Sequence, residues 1–157
     1  MESPVVTTAA MRTAEEAAFA SGIEVEALMD RAGAGVALAI RKFFPHPGRA
    51  AVFVGKGHNG GDALVAASRL RDFGWQIDLR LAFPEDDCAE LTRRKLADFR
   101  SQEASPSQDI AARAVRLIVL DGLLGLGAKH LLREPVRTHA HEAAVHEEVV
   151  SAVPAFA

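Results

Sequence analysis

The sequence has a single cysteine, Cys88, in 157 residues. One thiol closes no internal disulfide, and a chain of this length buries enough surface to fold without one, so a reducing compartment, the cytoplasm by default, is expected. Aromatic residues are also scarce, at 6%, which removes the stacking platforms of a single-strand nucleic-acid binder. No excess of positive charge compensates: the formal net charge is −3. Phosphate polymers and anionic lipid therefore meet no basic face, and any phosphate must be held locally, so no nucleic-acid partner is expected. Long apolar runs are missing as well. The longest, around Leu117 to Ala128, is interrupted by Asp121 and is too short to span a bilayer. The first twenty residues lack a basic start and an apolar block and carry Glu15 and Glu16, which argues against a targeting signal. What remains, 49% apolar and 25% charged residues, matches an ordinary globular domain with one core.

The chain begins with helical patterns. Thr13-Ala14-Glu15-Glu16 has capping-box spacing and Gly22 offers a left-handed stop, which predicts a short helix. From Glu24 to Phe44, Val25, Leu28, Met29, Ala32, Val36, Ile40 and Phe43 recur at helical spacing until Pro45 and Pro47 end the pattern. The Ala32-Gly33-Ala34-Gly35 patch in this second helix costs roughly 1 kcal/mol per glycine, which close approach to another backbone would offset. Ala50 to Val54 then reads as a buried strand, followed by a glycine loop and a helix with Ala63, Ala66, Ala67, Leu70 and Phe73 on one face. Ile77, Leu79, Leu81 and Phe83 alternate as a second strand. Asp86 to Arg100 reads as a surface helix burying Cys88, Leu91 and Phe99, and Ser101 to Gln108 as a loop. Ala114 to Leu120 supplies a third strand ending at Asp121. Strands alternating with helices predict an α/β fold: a Rossmann-like, three-layer αβα arrangement with a parallel sheet whose strand ends hold the ligand.

Gly55-x-Gly57-x-x-Gly60, placed between a strand and a helix, matches the dinucleotide fingerprint. Glycines bring backbone amides against a phosphate, and the helix start presents its positive end. The pattern alone fits equally a tight turn with Asp62 as N-cap and nothing bound. The longer string GKGHNGGDALVAASRL resembles the signature G-x-G-N-N-G-G-D-G-L-V-A-A-R-x-L of the NAD(P)H-hydrate epimerase family, the YjeF amino-terminal domain. MRTAEEAAFASGIEVEALMDRAGAGVA resembles that family's first two helices, and VLDGLLGLGAKHLLREP its third-strand motif, so the resemblance covers Met11 to Val136. His58 and Ala63 stand where the family usually has asparagine and glycine.

The resemblance implies a dinucleotide site lined by His58, Asn59, Gly60, Gly61 and Asp62, with a second wall from Gly125, Leu126, Gly127, Ala128, Lys129, His130 and Leu131. It implies a potassium ion held by Asn59 and Asp121, whose carbonyl and carboxylate are hard oxygen donors suited to such an ion. By pattern alone Asp121 is a strand-end carboxylate capping the next loop. The activity implied is isomerisation: interconversion of the R and S forms at C6 of hydrated NADH or NADPH, in metabolite repair beside an NAD(P)H-hydrate dehydratase, and a homodimer.

The family's next motif, D-[IV]-P-[ST]-G-L, supplies an aspartate against the hydrated ring and a further potassium ligand, and the sequence does not contain it. Residues 1–137 are therefore expected to form the front part of the domain and residues 138–157 an atypical tail, with a sheet incomplete on its C-terminal side through truncation, a shifted frame or natural divergence. Catalytic residues are not assigned. His139, His141 and His146 have poor spacing for zinc. Two rival functions stand beside the epimerase: a non-catalytic dinucleotide-binding or interaction module, and an NAD(P)-dependent oxidoreductase, which needs an acid at the end of the second strand where only Asp78 and Glu85 are near.

Overall fold

A computed structural model describes residues 6–102, 117–125 and 132–144. Its elements are α1 (Thr8–Ala20), α2 (Val25–Phe43), β1 (Arg49–Val54), α3 (His58–Asp72), β2 (Gln76–Leu81), a 3-10 turn (Glu85–Asp87), α4 (Glu90–Ser101), β3 (Leu117–Gly122) and α5 (Val136–Ala144). The three strands are parallel in the order β2-β1-β3. Ala50 to Val54 of the central strand are all almost completely buried, as the unbroken apolar run requires of a strand covered on both faces. Successive residues take opposite sides. Ala50, Val52 and Val54 join a core with Leu64, Ala67 and Leu70 of α3, Val36 and Ile40 of α2, and Leu96 of α4. Ala51 and Phe53 join a second core with Val119 and Val136, so α5 covers the other face. The result is the expected αβα layering.

Helix α3 lies flat on the sheet because Ala63, Ala66 and Ala67 leave little between its backbone and β1. Helix α2 packs on α3 through Gly33: a β-carbon there would lie 2.5 Å from Val65 Cβ and 2.6 Å from the Asp62 carbonyl oxygen. This is the close approach that the small-residue patch requires. Gly35 differs, since a β-carbon there meets nothing within 4 Å.

Three boundaries depart from expectation. Helix α1 starts earlier, because the Thr7 hydroxyl accepts from the Ala10 amide at 3.2 Å and serves as N-cap, while Thr13 sits inside the helix and donates to the Ala9 carbonyl. The expected helix from Asp86 divides into the 3-10 turn and α4, because the intervening Ala89 amide is drawn to the Lys56 carbonyl at 2.8 Å. Within α4 and its approach Cys88, Thr92 and Leu96 are buried, whereas Leu91 and Phe99 are half-buried. Strand β3 continues through Asp121 to Gly122, pairing these with Phe53 and Val54. Among the described residues no helix is long and apolar enough to cross a membrane.

Candidate functional site

The site begins where β1 ends. The Gly55 amide donates to the Gly122 carbonyl at 3.0 Å, which extends the β1–β3 ladder by one bond, and the chain then turns into α3. The helix starts at His58 with Gly57 as N-cap, ahead of the Asp62 cap that the pattern suggested. Glycines thus stand inside the first turn of a helix. They are tolerated because tertiary contacts demand them: a side chain at Gly60 would run into the Gly55 carbonyl oxygen, and one at Gly61 would come within 2.5 Å of the Met29 side chain. A residue larger than glycine at 60 therefore breaks the loop's own packing, one at 61 requires the flexible end of Met29 to move, and Gly57, with open space around it, is the glycine turned outward.

The loop is fastened from behind. The Lys56 carbonyl accepts from the Ala89 amide, and the Gly57 carbonyl accepts from the Thr92 hydroxyl at 3.0 Å. Thr92 is 1% exposed. With both carbonyls held against α4 and no side chain capping α3, the helix start is a rigid, positively polarised end suited to a phosphate. Thr92 was invisible as a site residue; its only signal is that it lies four before Leu96, on the face of α4 turned to the core.

Asn59 joins this loop to the next one. Its side-chain amide donates to the Leu124 carbonyl at 2.9 Å, and a β-carbon on Gly125 would lie 3.5 Å from Asn59 Cβ. Asn59 Oδ1 is buried and has no hydrogen-bond partner. A buried carbonyl oxygen left unpaired costs about 1–3 kcal/mol, so a donor or a cation is expected there. Asp121, at the end of the neighbouring strand, accepts from the Leu123 amide at 2.9 Å and so does cap its own loop. That bond uses part of a carboxylate's acceptor capacity and leaves the rest open. Leu126, Gly127, Ala128, Lys129, His130 and Leu131 of the second wall lie outside the described residues.

Asp62 and His58 border a space between α3 and the first two helices. They sit four apart on one face of α3 and line a cavity of about 1080 Å³ between α1, α2 and α3, together with Glu15, Met29, Gly35 and Phe43. Asp62 is 8% exposed, and no hydrogen bond to its carboxylate is found among the described residues. Burial, reinforced by the nearby Glu15 charge, pushes its pKa up to about 7. The five residues expected to line one site therefore divide: Asn59 turns to β3, and Asp62 turns to α1 and α2. Glu15 gave no sign of this role in the sequence, where it is one of two adjacent acids on a short helix.

The acids that an oxidoreductase would need are engaged elsewhere. Asp78 pairs with Arg80 at 2.9 Å and Glu85 with Arg100. His139 is 3.2 Å from Glu142 and its ring lies against Phe53.

A family model described as YjeF-related protein N-terminus matches residues 25–154, which takes in both loops and runs past Arg137. The chain belongs to this family. It is 36% identical over 141 residues to the bifunctional NAD(P)H-hydrate repair enzyme Nnr of Methanopyrus kandleri, covering 85% of this chain and 28% of that protein. It is 32% identical over 117 residues to the NAD(P)H-hydrate epimerase of Bordetella pertussis, covering 74% of this chain and 50% of that one. The chain thus spans half or less of the length of these curated relatives. The crystal structure of yeast YNL200c superposes with a TM-score of 0.73 at 24% identity over 95% of this chain and 69% of that one, a likeness of fold.

Proposed function

We propose that the chain is an NAD(P)H-hydrate epimerase unit, an isomerase that binds hydrated NADH or NADPH and interconverts the R and S forms at C6. The family match across both loops carries this reading, because it includes the Gly55–Gly57 turn, Asn59 and Asp121. The geometry supports it physically. A phosphate of the dinucleotide meets the polarised start of α3 at Gly57 and His58. The test is to supply one epimer, resolved by chromatography, and follow the R-to-S ratio at neutral pH after subtracting spontaneous exchange. A ratio that relaxes no faster with the protein than without it overturns the reading.

Potassium belongs to the same proposal. Asn59 Oδ1, buried and unpaired, and the open acceptor positions of Asp121 fit a hard monovalent cation. Bound there, the ion would offset phosphate charge and tie the two loops together. Melting at a higher temperature in potassium than in tetramethylammonium, with the difference abolished in Asp121→Ala, is the expected result. The chain works in the cytoplasm as a homodimer, beside a dehydratase such as the one that the bifunctional relatives' name implies. Sedimentation velocity tests the dimer.

A further inference from the structure

Among the described residues the buried polar or charged side chains are Asn59, Asp62 and Thr92, and all three lie in or against the first two turns of α3. Burying polar groups costs free energy, so their gathering at one helix start marks where the fold gives up apolar packing for geometry. Thr92 belongs to a different helix. It sits in the first turn of α4 and is 1% exposed. A threonine inside a helix ordinarily bonds to a carbonyl of its own preceding turn. Here the hydroxyl crosses to the glycine loop and donates to the Gly57 carbonyl at 3.0 Å.

Gly57 needs such a restraint. It is extended, with φ −93° and ψ −171°, and a β-carbon on it would meet nothing within 4 Å, so neither sterics nor packing fixes the peptide that joins it to His58. Hydrogen bonds do: the Gly57 carbonyl accepts from the Gly60 amide at 3.0 Å and from the Thr92 hydroxyl. The first bond comes from within α3 and turns with the helix start, whereas the second ties the peptide to α4. In a planar trans peptide the N–H points opposite to the C=O. With the Gly57 carbonyl drawn towards Thr92, the His58 amide is aimed away from it, and no backbone acceptor meets that amide among the described residues. A ligand is expected at this helix start on a separate ground, since Asn59 Oδ1, in the same turn, is buried and unpaired.

We propose that Thr92 is a positioning residue for the dinucleotide: through the Gly57 carbonyl it holds the His58 amide towards a substrate phosphate, and so sets affinity rather than the rate of the chemical step. This inference rests on the epimerase reading for the identity of the ligand. Thr92 touches neither the substrate nor the reacting atoms. Without its hydroxyl the Gly57–His58 peptide has a second orientation open to it, one that presents a carbonyl oxygen where the phosphate needs a donor. Apparent affinity then falls with the fraction of molecules in the competent orientation. The loss is the same for ground state and transition state, so KM rises and kcat holds.

The experiment measures kcat and KM for exchange of resolved NADPH-hydrate epimers, and the Kd of the hydrate by calorimetry, in wild type, Thr92→Val and Thr92→Ser. Valine keeps the branched shape and exchanges the hydroxyl for a methyl group, while the Gly57 carbonyl retains its bond from the Gly60 amide. Serine keeps the hydroxyl. Thr92→Val should raise KM and Kd by about three- to tenfold, the worth of one hydrogen bond, with kcat little changed, and Thr92→Ser should return both constants close to those of wild type. A purely structural role would lower the melting temperature and leave the Kd of the folded protein where it was. That result, or equal rises in KM for Thr92→Val and Thr92→Ser, overturns the role of Thr92 while the epimerase reading stands. If Thr92→Val does not fold, amide spectra of isotope-labelled wild type decide. On titration with NADPH-hydrate the His58 amide proton should move downfield as it bonds to phosphate; a His58 signal that stays in place while its loop neighbours move overturns the proposal. If wild type binds the hydrate without exchanging the epimers, the epimerase reading falls and the Kd comparison still tests Thr92. If wild type does not bind it, both fall.

Discussion

The two sides of α3 are built on opposite principles. Toward the sheet, Ala63, Ala66, Ala67 and Leu70 are 3% exposed or less and interlock with β1, β3 and α4. Toward α1 the same helix borders a cavity, and α1 itself buries no residue. Even the glycine loop follows this division: its carbonyls are fixed against α4, whereas Asp62, one turn later, faces open space without a partner. Tight packing fixes geometry, and the loosely packed side leaves a polar group free for a ligand.

The contrast predicts a graded set of effects. Gly60→Val should be the most damaging, since backbone rather than a flexible side chain stands in its way. A loss of about 3 kcal/mol or more is expected in urea unfolding, with dinucleotide binding lost as a consequence. Leu64→Ala, wholly on the packed side, should cost about 2–5 kcal/mol in the same assay, against no more than about 0.5 kcal/mol for Phe19→Ala on α1. Equal costs would erase the distinction between the two sides.

Asp62 makes the loose side sensitive to pH. Its pKa is about 7 in the fold, against an ordinary value of 3.8. A carboxyl whose folded pKa is raised contributes fully below the unfolded value, and that contribution is lost as pH rises through the folded value. Asp62→Asn should therefore stabilise the protein at pH 8, on the order of 2 kcal/mol, and make almost no difference at pH 4. A difference that does not grow between pH 4 and 8 would show that Asp62 ionises freely.

Two glycines two residues apart on α2 sharpen the comparison further. Gly33→Ala should destabilise by about 1–3 kcal/mol, because it pushes into Val65 and the Asp62 carbonyl. Gly35→Ala meets nothing and should stabilise by about 0.4–1 kcal/mol through reduced freedom of the unfolded chain. Thermal melts of the pair should move in opposite directions. The smallest effect belongs to the surface pair of Arg69 with Asp72, both more than half exposed, where Arg69→Ala should cost under about 1 kcal/mol and less in high salt.

Much of this was legible in the sequence, since periodicity reports how a segment is buried. The unbroken run Ala50–Val54 announced a strand covered on both faces, and the spacing of Val36 and Ile40 announced the buried stripe of α2. The string from Gly55 to Leu70 carried the loop, the helix and the family resemblance together. The sequence also placed glycine where backbones meet at Gly33, because glycine repeated inside a helix costs propensity that close backbone contact offsets.

Other features depended on distant residues meeting in space. Nothing local distinguishes Gly33 from Gly35, Thr92 from any other threonine on a helix, or Glu15 from Glu16. The start of α3 at His58 rather than Asp62 was set by packing of Gly60 and Gly61 against Gly55 and Met29, which outweighs the poor helix propensity of glycine. The different neighbours of Asn59 and Asp62, which stand only about 60° apart around α3, were decided by the placement of β3 and α1. A sequence determines which groups seek burial and at what period; only the assembled fold decides which neighbour each one finds, and hence that Asn59 Oδ1 is buried without a partner while Asp62 borders a cavity.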